Sequence, residues 1–284
     1  MIAYPSGQKL SKQIAAWRER GESVGFVPTM GALHKGHATL CSMAKAQADR
    51  VVVSIFVNPT QFHDSQDLEK YPRTIDQDLA TLSALGVDAV YLPEVREIYP
   101  ADYKQPVYAL GPLEKVMEGV HRPGHFQGVA AVLDRFFQLL PVNMAFFGEK
   151  DFQQLEAVRR LVAMKGHEIS VVGCPTIREE CGLAMSSRNM RLSAAGRETA
   201  CSIYKGFIEI KKAMAEVFEP DHLEQTKKNW EALGMEVEYL ELAHATTFES
   251  ARQGDSLALR NSWRLFAAAH VEGVRLIDNL ALKS

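Results

Sequence analysis

Apolar residues fall along this chain in two alternating rhythms. Leu10, Ile14 and Trp17 recur at helical spacing before Gly21, and a short continuous apolar run follows over 24–27. Leu40, Cys41, Ala44 and Ala48 make one stripe of a second helix. It leads into a β-branched run over 51–57, the pattern of a strand buried on both faces. Thr74 and Gln77 fit a capping box ahead of Ile75, Leu79, Leu82 and Leu85, a helix ended by Gly86, and 87–92 predicts a third strand. After an irregular stretch holding Pro100, Pro106 and Pro112, a stripe of Val129, Val132, Leu133, Phe136, Phe137 and Leu140 runs to Pro141. Residues 144–147 predict a fourth strand, Leu155, Val158, Leu161 and Val162 a helix, and 169–172 a fifth strand.

Such alternation implies right-handed crossovers and a mostly parallel sheet covered on both faces. The expected fold class is α/β: a Rossmann-like, doubly wound parallel sheet over residues 1–179. The rhythm changes after Pro175. A long helix is predicted over 193–218, with Ala200, Ile203, Tyr204, Phe207, Ile210, Met214 and Val217 inward. Asp221 and Glu224 can cap another helix, ending at Gly234, and strands are predicted over 235–242 and 265–282, the latter turning near Gly273. These describe a smaller α+β domain over 180–284, and two unequal domains suit a chain of 284 residues.

Composition narrows the function classes. A hydrophobic content of 46% with 24% charged residues suits a soluble protein with a packed core, and no run approaches the ~20 apolar residues of a bilayer span. The N-terminus lacks the basic-then-apolar order of a signal peptide, which points to the cytoplasm. A net charge of −3 argues against a broad nucleic-acid-binding face, so an anionic ligand must be held by local positive charge. Cys41, Cys174, Cys181 and Cys201 are scattered without the spacing of a zinc or redox motif, so four reduced thiols and no metal site are expected.

Four loops carry candidate chemistry. Val27-Pro28-Thr29-Met30-Gly31-Ala32-Leu33-His34-Lys35-Gly36-His37 follows the first core strand and opens a helix. Ligands of open parallel sheets bind where such loops lie. Gly31 and Gly36 permit close backbone approach to an anion, and His34 and His37 can donate to phosphate. Asn58 and Gln61, in Phe56-Val57-Asn58-Pro59-Thr60-Gln61-Phe62, offer neutral groups suited to hydroxyl and carboxylate recognition. In Gly148-Glu149-Lys150-Asp151-Phe152-Gln153-Gln154, Lys150 is placed to meet phosphate; Asp151 either caps the next helix, with Gln154 completing the pair, or engages ribose or metal. Met185-Ser186-Ser187-Arg188 supplies two hydroxyls and a guanidinium to grip phosphate.

The first loop resembles the H-x-G-H signature of adenylate-forming and nucleotide-transferring enzymes related to class I aminoacyl-tRNA synthetases. The last resembles their K-M-S-K-S loop. Together the four resemble the pantothenate synthetase family over nearly the whole chain, joined by Tyr71-Pro72-Arg73-Thr74, His121-Arg122-Pro123-Gly124-His125-Phe126 and Arg275-Leu276-Ile277-Asp278-Asn279. The resemblance implies ATP contacts from Met30 through His37, from Gly148, Glu149, Lys150 and Asp151, and from Ile177, Met185, Ser186, Ser187 and Arg188. It implies that Gln61 and Gln154 hold pantoate, with Asn58 beside them, and that His37 is the proton donor. Arg122 either binds an anion or braces its loop. Similar sequences read Asp-Gly-Leu-Ala where this chain has Cys181-Gly182-Leu183-Ala184.

The implied reaction joins pantoate to β-alanine at the expense of ATP through an acyl-adenylate, with Mg²⁺ carried on the phosphates and His34, His37, Lys150, Ser186 and Arg188 stabilising the charge that builds there. The resemblance also implies a homodimer. Rival readings are a nucleotidyltransferase of the same superfamily, against which the neutral Gln61 and Gln154 count, and a non-catalytic nucleotide sensor, which has no need of two phosphate-gripping loops.

Overall fold

Val51, Val53 and Ile55 enter one core cluster with Val27, Phe146, Cys41 and Leu82. On the opposite face Phe136 meets the rings of Phe26, Phe56 and Tyr91 edge-on at 5.6, 6.1 and 5.8 Å. This period of two, apolar on both sides, is why the strands carrying it lie inside the sheet. The computed structural model describes residues 1–62, 68–69, 71–214, 217–258 and 262–283. The chain divides into units Met1–Pro175 and Thr176–Ser284.

In the first unit β1 (Ile2–Tyr4), β2 (Val24–Thr29), β3 (Arg50–Ile55), β4 (Ala89–Tyr91), β5 (Met144–Gly148) and β6 (Ser170–Cys174) form one sheet in the order β1-β4-β3-β2-β5-β6. Every neighbouring pair is parallel. The longer helices of this unit are α1 (Gly7–Glu19), α2 (Lys35–Gln47), α3 (Ile75–Ala84), α4 (His125–Leu139) and α5 (Phe152–Lys165). The order runs outward through β3 and β4 on one side of β2 and through β5 and β6 on the other. The crevice at the carboxyl ends of β2 and β5 is therefore the topological switch point, where doubly wound sheets bind ligands.

Strand β1 was not among the expected strands. It is three residues long and largely exposed, and it gains its form from pairing with β4, Ile2 opposite Ala89. The capping box expected at the start of α3 is also absent. Thr74 makes no side-chain cap bond there, and its hydroxyl donates instead to Asp78 Oδ2 at 3.2 Å.

The second unit has a three-stranded antiparallel sheet, β7 (Glu236–His244), β8 (Trp263–Val271) and β9 (Val274–Ala281), and two helices, α6 (Ala194–Ala213) and α7 (Asp221–Ala232). Leu265, Ala267, Ala269, Phe207 and Trp230 share its core. The unit starts four residues before the expected boundary because Met185 N–H bonds Ile177 C=O at 2.9 Å and so draws 176–179 in with it. Helix α6 ends at Ala213, short of the expected 218; residues 215–216 lie outside the described residues. Met214 turns extended yet stays buried, as does Phe218, whereas Val217, expected inward, is exposed because the helical spacing does not reach it.

Candidate functional site

The loop after β2 sets two imidazoles side by side. His34 is the N-cap of α2 and His37 lies in its first turn; their ring centroids are 4.0 Å apart. The Gly36 N–H donates to His34 Nδ1 at 3.1 Å, and the His34 N–H donates to His37 Nδ1 at 3.3 Å. A ring nitrogen that accepts a backbone N–H carries no proton, so both rings keep theirs on Nε2. Burial holds His34 down to about 4, helped by the Lys150 cation, and holds His37 down to about 3, helped by His34 and Lys150. Both are neutral near pH 7 and can donate hydrogen bonds through Nε2. His37 is thus not the imidazolium that a simple proton donor would be.

Upstream of His34, Thr29 Oγ1 donates to the Ser54 carbonyl on neighbouring β3 at 2.7 Å and accepts the Gly31 N–H at 3.3 Å. Gly31 and Ala32 are both left-handed, with φ of 82° and 49°. The N–H groups of Ala32 and Leu33 donate to the two carboxylate oxygens of Asp78, at 2.9 and 2.8 Å. Those two amides are therefore engaged by Asp78. Met30 and Gly36 are half-buried, and Lys35 is exposed at the helix start.

Asn58 follows β3 and is 1% exposed. Its Oδ1 accepts from the Tyr99 hydroxyl at 2.9 Å and from the Thr60 hydroxyl at 3.1 Å. Its Nδ2 donates to Gln61 Oε1 and to the Gly128 carbonyl, each at 3.1 Å. With both ends so engaged, Asn58 fixes the orientation of the Gln61 amide. Gln61 is left with its Nε2 as the end that can donate to an acid. Its backbone carbonyl accepts from His125 Nδ1 at 3.1 Å and Arg122 at 3.4 Å, and Arg122 also reaches His125 Nε2 at 3.2 Å and Glu118 at 3.6 Å. Burial, with the Arg122 charge, holds His125 at about 4. Arg122 thus braces its loop. Gly128 lets α4 press onto this turn, since a Cβ there would lie 2.2 Å from the Thr60 carbonyl oxygen.

Strand β5 ends at Gly148, and Glu149, Lys150 and Asp151 follow in a 3-10 turn. Asp151 occupies the N-cap position of α5 without a side-chain cap bond, and its Oδ2 lies 3.8 Å from Lys150 Nζ. Gln153 is buried and spent on the Glu118 N–H and the Val116 carbonyl, whereas the next residue, Gln154, is half-buried. The sheet order thus gathers three sequence-predicted loops, those of Gln61, His34–His37 and Lys150, on adjacent strands β3, β2 and β5. Tyr99 and Asp78 were not read from the sequence, and His125 was read only as part of the segment 121–126. For Asp78 a signal existed: it sits one turn before Leu82 on the helical stripe that faces the core.

In the second unit a hairpin over 177–185 precedes the serine-arginine turn. Ile177 pairs with Met185, and Glu179 N–H bonds the Leu183 carbonyl at 2.8 Å. Arg178 forms a two-pronged pair with Asp278, at 2.5 and 3.0 Å, and lies 4.2 Å from the centroid of the Tyr204 ring. Ser186 Oγ accepts the Arg188 N–H at 3.2 Å, capping a 3-10 turn over Ser187–Arg191, and Ser187 is buried. The hairpin turn also brings Cys181 to Cys201 on α6, and the two form a disulfide with Cα atoms 5.7 Å apart. The expectation of four free thiols is therefore corrected: only Cys41 and Cys174 are free, both buried and pushed up to about 11 by burial. Sequence spacing missed the pair because 20 residues separate it and the fold supplies the proximity.

Among the described residues no helix is long and apolar enough to cross a membrane, and no group of three or more His, Cys, Asp or Glu could hold a metal ion.

Comparison with known proteins gives the family of the chain. A pantothenate synthetase of Cereibacter sphaeroides is 47% identical over 274 residues, 96% of each chain. The crystal structure of pantothenate synthetase from Thermus thermophilus superposes with a TM-score of 0.90 at 38% identity, covering both chains fully. The pantoate-beta-alanine ligase of Francisella tularensis, in complex with beta-gamma ATP and beta-alanine, has a TM-score of 0.82 at 32% identity, over 100% of this chain and 98% of that one. The sequence profile of the pantoate-beta-alanine ligases matches residues 4–281, and the chain belongs to that family.

Proposed function

We propose that this chain ligates pantoate to β-alanine with ATP, through a pantoyl-adenylate. The observation that carries the reading is the pair of neutral Nε2–H donors, His34 and His37, at the end of β2, with the Lys150 cation at the end of adjacent β5. The Francisella tularensis relative bound to beta-gamma ATP and beta-alanine supports the same substrates here.

A pantoate carboxylate oxygen attacks the α-phosphorus, and the bond to pyrophosphate breaks. Negative charge grows on the phosphate oxygens, and preorganised donors stabilise it without reorienting. His34, His37 and Lys150 take that part, with Ser186 and Arg188 assigned to it on the resemblance alone. Mg²⁺ enters bound to the phosphates. Gln61 Nε2 and Gln154 hold pantoate. The β-alanine amine then attacks the acyl carbon, the bond to AMP breaks, and the amine loses a proton. We further place the enzyme in the cytoplasm and as a homodimer on the family resemblance; light scattering that reports a monomer at micromolar concentration overturns the latter.

The test is exchange of labelled pyrophosphate into ATP. With Mg²⁺ and pantoate but no β-alanine, exchange is expected; without pantoate it should vanish. Adding β-alanine should yield pantothenate and AMP by mass spectrometry. Rapid pantothenate synthesis with no exchange, in enzyme shown to release and rebind pyrophosphate, would sink the two-step scheme.

A further inference from the structure

The turn that delivers His34 is unusual in its backbone. Two consecutive residues, Gly31 and Ala32, are left-handed, and Ala32 is one of few residues other than glycine with positive φ. L-residues resist that region unless their surroundings over-determine it. Successive N–H groups in such a turn form a concavity that binds anions. Here the concavity holds an anion from the protein itself: the Asp78 carboxylate, 2% exposed, takes the N–H of Ala32 on Oδ2 and that of Leu33 on Oδ1. Thr74 adds its hydroxyl to Oδ2 at 3.2 Å. The fit is close, since a Cβ on Gly31 would lie 3.0 Å from Asp78 Oδ2 and 3.0 Å from Ile55.

We propose that Asp78 is a positioning residue of the ligation reaction, setting the His34–His37 pair through the Gly31–Leu33 turn. The path is short. Leu33 leads directly into His34, whose backbone N–H fixes the tautomer of His37 and whose own Nδ1 is fixed by Gly36. Both bonds need His34 at the N-cap with the turn before it intact. Without the carboxylate, two buried N–H groups lose their acceptor and Ala32 loses the contact that holds it left-handed. The imidazoles are then free to exchange tautomers, and the Nε2–H donors no longer converge. No reacting atom touches Asp78. The inference rests on the assignment of both histidines to phosphate.

The test uses Asp78→Asn, which keeps one acceptor oxygen and turns an amide NH₂ toward the other N–H. Imidazole ¹⁵N spectra of the wild-type chain should show protonated Nε2 and bare Nδ1 for His34 and His37. In Asp78→Asn the two nitrogens of each ring should move toward the averaged shifts of mixed tautomers. Turnover of the folded variant, measured well below its melting temperature, should fall about 10²-fold, the scale of a small misplacement of reacting groups. The KM for pantoate should stay within about twofold, a margin well below the tenfold that corresponds to 1.4 kcal/mol. A lower melting temperature with unchanged imidazole spectra and turnover would mean a merely structural carboxylate and overturn the proposal. Should Asp78→Asn not fold, Thr74→Val decides: it removes one donor to Oδ2, and a several-fold loss of turnover with shifted imidazole signals supports the proposal, whereas wild-type values of both overturn it. Failure of the underlying phosphate assignment looks different, as full turnover in His37→Ala, because the spectra read Asp78 without ATP present.

Discussion

Asn58 presents its Nδ2 to Gln61 Oε1 at 3.1 Å, and this single contact decides which end of the Gln61 amide faces outward. Three donors converge on Asn58 Oδ1, from the Tyr99 and Thr60 hydroxyls and the Thr60 N–H, so the other end of Asn58 must be its NH₂ group. Gln61 therefore meets it with oxygen and leaves its nitrogen as the end available to the acid we propose it holds. An acid is best met by a donor, and pantoate is an acid.

Replacing Asn58 with Asp should reverse that logic. A carboxylate there cannot donate to Gln61 Oε1 or to Gly128 C=O, and Gln61 is driven to turn its NH₂ inward. The expected result is a rise of about tenfold or more in the KM for pantoate, in line with roughly 1.5–3 kcal/mol for a hydrogen bond to a charged group. The KM for ATP should stay close to wild type. Equal rises in both constants would show that Asn58 serves the loop generally and not the acid.

His37→Ala and Lys150→Ala should each lower turnover about 10²–10³-fold, the usual cost of removing one preorganised donor to developing charge. The fold should survive, because His37 contributes only one bond to the N-terminal cap of α2 and Lys150 lies in a single 3-10 turn. Steady-state kinetics on variants with wild-type circular dichroism check this. Near-normal turnover in either removes that residue from the mechanism.

The succession of strands and helices along the chain was largely legible, and the reasons for what was not are local. Runs such as 51–57 and the stripe through Phe136 announce burial because no other arrangement hides so many apolar residues. The histidine, lysine and serine-arginine loops were read from their residue types and their places after strands, and the fold sets the first two at the ends of adjacent strands β2 and β5. Asp78 escaped because its work is done on backbone amides, through a contact spanning 45 residues of sequence to Leu33; Asn58 was read as a candidate, but its bond to the Gly128 carbonyl, 70 residues away, was not. Cys181 and Cys201 escaped for the same reason: proximity came from the turn over 179–182 and not from spacing.

The histidines give a pH signature with a definite sign. His34, His37 and His125 sit at about 4, about 3 and about 4 in the folded protein, against 6.5 when exposed. Between those limits the unfolded chain binds more protons than the native one, so stability rises with pH there and is lost as pH falls below 6.5. The ring resonances of all three should not move between pH 7.5 and 5.5 in the ATP-free protein. Bound polyphosphate, an opposite charge, should raise His34 and His37, while His125, braced on the Gln61 carbonyl, should respond least. Titration of any of the three near 6.5 without ATP contradicts the burial on which their tautomers rest.

The disulfide makes the last prediction countable. Protein purified and denatured without reductant should expose two thiols per chain, Cys41 and Cys174, and four after reduction. The bond closes a loop of 20 residues, for which chain entropy predicts about 3 kcal/mol of stabilisation. Cys181→Asp, which restores the residue common in similar sequences, should lower the melting temperature in the absence of reductant. Turnover should stay within about threefold, because the hairpin ahead of Ser186 and Arg188 is held independently by the Arg178–Asp278 pair and by Asn189 Nδ2 on the Ala184 carbonyl at 3.0 Å. A two-pronged charged pair of this kind is among the stronger contacts a protein can make, so the crosslink adds rigidity to a loop already positioned. Four thiols in the unreduced, denatured chain would remove the crosslink from the protein. A loss of turnover far beyond threefold in Cys181→Asp would mean instead that the ion pair cannot hold the hairpin alone.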